Sequence, residues 1–163
     1  MEVIAATFVL VVAVIGCYLA FSGIISQISF ISSKQTAAYL AQEGLEIVRN
    51  IRDTNWLQDS TLGWDNFKAA FSDKNCSSGC EADYKTGTSG QLIALRSYGS
   101  GSLLMVDADG FYNYSSGTAT KFKRKITVSP ANPDVVQVSV QVSWSDKGQS
   151  YNFTVAEDLY NWK

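Results

Sequence analysis

Residues 3–33, VIAATFVLVVAVIGCYLAFSGIISQISFISS, carry no charged side chain. As a helix this stretch is about 46 Å long at 1.5 Å per residue. The hydrocarbon core of a bilayer needs roughly 20 apolar residues, and Met1–Phe21 already supplies that length with Glu2 as its single misfit. A cleaved signal peptide fits less well. Its basic start is missing, its apolar region is about 7–15 residues, and no clear small-residue cleavage site follows. A small domain rarely encloses an all-apolar helix of this length. The stretch therefore predicts a membrane span over about residues 3–25, destined for lipid or for other chains.

From Lys34 onward the chain changes character. This part holds all 13 basic residues and 14 of the 15 acidic ones, so it is polar and nearly neutral. The absence of histidine excludes His-based triads and His-ligated metal sites. The small net charge of −2 argues against bulk nucleic-acid binding. Three cysteines are too few for a disulfide-dense scaffold. With no GxxxxGK[ST], no GxSxG and only scattered carboxylates, the chain is expected not to be an enzyme and to need no cofactor.

Helix formers continue past Lys34. Ala37, Ala41, Gly44, Val48 and Ile51 fall at spacings of 4, 3, 4 and 3, one seam at helical period, with Leu40, Ile47 and Leu45 on its flanks. Glu46 can pair with Arg49 at i,i+3 and with Asn50 at i,i+4. The prediction is one helix from Glu2 to Asp53, apolar in its first half and amphipathic in its second. A second domain then covers 54–163, with a variable loop region at 57–102. Within that region Trp64–Phe71 suggests two helical turns. Val136, Val138, Val140, Val142 and Trp144 alternate with polar residues at strict period 2, the pattern of a half-buried antiparallel strand. Phe122–Val128 precedes it across a Pro-bearing turn, and Tyr151, Phe153 and Val155 follow it. Leu103–Val106 and Phe111–Tyr114 flank a hairpin signal, and Leu92–Leu95 suggests another short strand. The fold class expected is α+β, a long helix packed on an antiparallel sheet of four to six strands.

That combination resembles the type IV pilins and pseudopilins, minor pilins in particular. The opening MEVIAATFVLVVAVIG, the stretch AAYLAQEGLEIVRNIRDTNW, and the closing FKRKITV, VQVSVQVSW and LYNW carry the resemblance. It covers residues 1–56 most specifically, 103–163 less so, and not 57–102. It implies a ladle-shaped structural subunit that waits in the cytoplasmic membrane. Such a subunit then joins an extracellular pilus or a periplasmic pseudopilus through the apolar helices of related subunits. Glu2 matches the family's near-invariant glutamate, which is thought to neutralise the N-terminal amine of a neighbouring subunit. Two charges that are each costly in lipid become tolerable together. Gly16 and Gly23 would allow close helix approach or local unwinding. Met1 matches the family's fourth mature residue, so the resemblance implies a leader and three further mature residues ahead of it. A chain starting at Met1 would lack the processing site. The rival expectation is a singly anchored surface domain that binds or senses a ligand, without pairing between apolar helices.

Cys76 and Cys80 enclose Ser77-Ser78-Gly79. The pair is a disulfide if this part lies outside the cytoplasm, otherwise two free thiols or a metal pair. Cys17, within the apolar stretch, serves as a small hydrophobe. Asp107 and Asp109 match the start of a calcium loop, but the twelfth position is Thr118 where that loop needs Glu, so a tight turn is expected and no metal. Lys121, Lys123 and Lys125 share one face of a strand, with Phe122, Arg124 and Ile126 on the other. The lysine face is either solvated or, in the sharper alternative, a contact for nucleic acid or another anion. Trp56, Trp64, Trp144 and Trp162 are expected to anchor packing.

Overall fold

The computed structural model describes residues 2–59, 61–86 and 95–162, apart from the surroundings of positions 23, 25 and 26. The chain forms two compact units, Met1–Thr36 and Ala37–Lys163. Helix α1, Glu2–Gln58, contributes to both. It runs beyond the expected stop at Asp53. Residues 54–58 (TNWLQ) contain neither glycine nor proline, and the Asn55 amide donates back to the Ile51 carbonyl at 2.8 Å. The turn comes at Asp59, whose Oδ1 accepts the backbone N–H groups of Thr61 (2.9 Å) and Leu62 (3.1 Å).

In the second unit Ala37, Leu40, Ala41, Ile47, Val48 and Ile51 are all buried, as the seam predicted. Opposite them lies the inner face of an antiparallel sheet. Its order is β2 (Arg96–Ser97), β1 (Cys80–Glu81), β6 (Phe122–Asn132), β7 (Val135–Asp146), β8 (Gln149–Tyr160). Val136, Val138, Val140, Val142 and Trp144 all point into this layer. Gly44 is the point of closest approach. A Cβ there would sit 2.8 Å from Val140 Cγ1 and 3.1 Å from Arg124 Cδ. That explains a glycine in mid-helix despite its propensity cost of about 1 kcal/mol.

β6 passes through Pro130 to Asn132, so the expected break after Val128 does not occur. The register with β7 shifts between Pro130 and Asn132, a bulge where the missing N–H of proline is tolerated. A second sheet has the order β4 (Tyr112–Asn113), β3 (Met105–Val106), β5 (Thr118–Ala119). Its β3–β4 pairing is the hairpin expected around Asp107. Helix α2, Gly63–Ser72, lies within the stretch expected as variable loop and buries Trp64, Phe67, Ala70 and Phe71. Residues 92–94 of the strand expected at Leu92–Leu95 lie outside the described residues.

Candidate functional site

Among its described residues the first unit is a helix without a buried apolar face. Val3, Val9, Val12, Ile15, Leu19 and Phe21 are all exposed, and its most apolar window is 0% buried. The segment is long and apolar enough to cross a membrane. Some of its hydroxyls bond back onto the helix. Thr7 donates to the Val3 carbonyl at 2.9 Å, and Ser33 to that of Ser29 at 2.8 Å. Such back-bonding satisfies a polar group that lipid would otherwise leave unpaired. Glu2 stands exposed in the first turn, where a carboxylate opposes the positive end of the helix dipole. Met1 lies outside the described residues. Gly16 has no atom within 4 Å that a Cβ would meet, so nothing in the chain itself requires glycine there. Gly23 also falls within α1, with its surroundings outside the described residues.

Cys76 and Cys80 form a disulfide with their Cα atoms 5.0 Å apart, and both are buried. The bridged loop is stitched to the sheet, since the Cys76 carbonyl accepts the Val128 N–H at 3.1 Å and the Gly79 carbonyl accepts that of Tyr98 at 3.0 Å. Cys17 is unbridged and exposed.

Asp107 closes its own turn. Its Oδ1 accepts the N–H groups of Phe111 (2.9 Å) and Asp109 (3.1 Å), and its Oδ2 accepts the Tyr84 hydroxyl at 3.2 Å. These bonds, the Phe111 N–H foremost, hold the carboxyl below its usual range. Among the described residues no three Asp, Glu, Cys or His side chains gather into a metal site.

The three lysines each have a partner within the chain. Lys121 Nζ lies 3.7 Å from Asp146 and Lys123 donates to the Ser100 carbonyl at 3.3 Å. Lys125 sits 5.5 Å from the Tyr98 ring centre. The fourth cation of that run behaves differently. Arg124 is fully buried, with 0% exposure. Its Nη1 donates to the Leu40 carbonyl and to Glu43 Oε2, both at 3.0 Å, and its Nη2 donates to the Ala82 carbonyl at 2.6 Å. The Tyr114 hydroxyl donates to the Arg124 carbonyl at 3.3 Å, and burial pushes that phenol above its ordinary pKa. The sequence carried the signal in the parity of Arg124 with Phe122 and Ile126, which put the guanidinium on the apolar face.

Trp64 and Trp144 are buried anchors, as expected. Trp162 is not, at 64% exposed. It stacks on Trp56 with ring centres 6.3 Å apart, and the Arg52 guanidinium lies 5.5 Å from its ring centre. Comparison of the chain with protein-family models, with curated proteins and with solved structures finds no match.

Proposed function

We propose that this chain is a structural subunit of a type IV pilus or secretion pseudopilus, held in the cytoplasmic membrane before assembly and not an enzyme. One observation carries the reading. A single helix buries its seam on a sheet from Ala37 to Ile51 and leaves every described side chain from Glu2 to Ser29 in the open. An apolar rod of that kind is costly in water, so it exchanges lipid for the rods of neighbouring subunits. Glu2 then sets the axial register by pairing with a neighbour's amine. The sheet and its loops form the outside of the filament.

The test is electron microscopy and immunolabelling of sheared surface material. Fibres that contain the chain support the proposal. Recovery in detergent-soluble membrane alone favours a singly anchored binding domain. Glu2→Ala is expected to leave the fold of the second unit intact, read by thermal melting, while reducing incorporation at least tenfold. Normal filament yield from that variant removes the role given to Glu2.

A further inference from the structure

β8 is the outer strand of its sheet, hydrogen-bonded to β7 alone. Lys147 and Gly148, both at positive φ, form the two-residue loop that joins them, with Asp146 opposite Gln149. Pairs that exchange hydrogen bonds alternate from that pair onward, and the register holds along all of β8. The odd-numbered residues therefore bond to β7. Ser150, Asn152, Thr154, Ala156, Asp158 and Tyr160 turn their N–H and C=O groups away from it, and these groups have no partner among the described residues. An edge of this length is normally blunted by lysine, proline, a bulge or a short strand. β8 runs for 12 residues without any of them, whereas β2, at the opposite edge, is 2 residues long.

Beside β8 lies a groove of about 650 Å³ lined by Tyr39, Leu45, Glu46 and Arg49 of α1 and by Val155. A strand laid along β8 sets every second side chain, about 7 Å apart, over this groove. The charge there is one-sided. Arg49 is shared between Glu46 (3.2 Å) and Glu157, and the exposed Asp158 has no cation beside it among the described residues. We propose that β8 takes up an extended segment of a partner protein as a further antiparallel strand, apolar toward the groove and basic where it passes Glu157 and Asp158. The outward backbone groups supply the affinity, and the groove with the two acids supplies the selection. A second copy of β8 fits worse. In-register parallel pairing sets Glu157 and Asp158 against themselves. Antiparallel pairing reverses α1 between the chains, which two subunits of one membrane cannot accommodate. That last point alone rests on the membrane reading, so strand uptake and filament assembly can fail separately.

The experiment uses the full chain in a non-ionic detergent at physiological salt. The probe is the peptide KKTVTVTV with a fluorophore at its C-terminus, read by anisotropy. Laid antiparallel, its lysines fall beside Asp158 and Glu157 and its valines over the groove. Saturable binding is expected, at least tenfold weaker for EETVTVTV. N-methylation of the threonines, whose N–H groups face β8, should abolish binding, and N-methylation of the valines should not. Thr154→Pro should weaken binding at least tenfold, since it removes an outward N–H that the sheet itself leaves unused. Lys123→Ala should change nothing. No saturable binding, equal binding of the acidic peptide, or indifference to which peptide residues are methylated overturns the proposal. So does a concentration-dependent dimer of the chain alone that Thr154→Pro disperses, for then a second copy holds the edge.

Discussion

Arg124 is the residue on which most of the second unit's polar order converges. Its guanidinium reaches a helix carbonyl, a helix carboxylate and the carbonyl of Ala82 beyond β1. Arg124→Met removes the charge but strands the Leu40 and Ala82 carbonyls, and Glu43 loses its cation. A loss of about 3 kcal/mol is expected, near the low end for breaking a buried pair because Glu43 is partly exposed. Arg124→Lys should not restore it, since a single ammonium cannot reproduce the planar fork. Lys123→Ala, one position along, should change stability by less than about 0.5 kcal/mol. Urea unfolding monitored by tryptophan fluorescence separates the three. Asp107 gives a second expectation. Its folded pKa lies below the ordinary aspartate value, so the turn is stabilised above that value and the contribution is lost as the pH falls through the folded one. A pH titration of the Phe111 amide resonance should therefore show a midpoint below 3.8, and Asp107→Asn should abolish it.

At the level of elements, the helix and the sheet meet through small residues. Ala37, Ala41 and Gly44 let the backbone of α1 approach β7 closely. Gly44→Ala should gain about 1 kcal/mol of helix propensity and lose about 1–3 kcal/mol to crowding against the stiff Val140, so it should lower the melting temperature. An unchanged or raised melting temperature would mean that β7 gives way at no cost. The elements with strong periodicity were legible before the structure. The seam from Ala37 to Ile51 and the alternation from Val136 to Trp144 each commit an apolar face. What stayed hidden were features that depend on a partner distant in sequence. Lys121 to Lys125 look alike as charges, and only the pairing of β6 beneath α1 separates Arg124 from its neighbours. The continuation of α1 past Asp53 and the passage of β6 through Pro130 turn on local hydrogen bonds that no pattern announces. The groove beside β8 joins residues 39–49 to Val155, a contact that single-sequence periodicity does not encode.

For the whole molecule, one helix is asked to live in two surroundings. Its Ala37–Ile51 turns are stabilised by the sheet, whereas the described side chains from Val3 to Ser29 are exposed and depend on whatever medium receives them. A charge in the middle of that stretch tests the membrane reading directly. Val12→Lys should cost about 2.5–3.5 kcal/mol on an insertion scale and shift the chain out of the floating membrane fraction in a flotation assay. Val12→Leu should not, and equal flotation of the two variants would count against a spanning helix. The disulfide, the α+β core and the apolar segment all sit in one continuous chain, so the variant's effect on insertion is measured without altering the packed unit.

The Arg124 contacts also have a mechanical consequence. A tug along α1 meets, at Leu40 and Glu43, bonds anchored through Arg124 on β6, the central strand of the five-stranded sheet. Such bonds load together in shear and do not peel one at a time, so the helix should resist extraction up to a sharp yield force and then let go at once. Single-molecule pulling on α1 should show one rupture peak, and Arg124→Met should lower it.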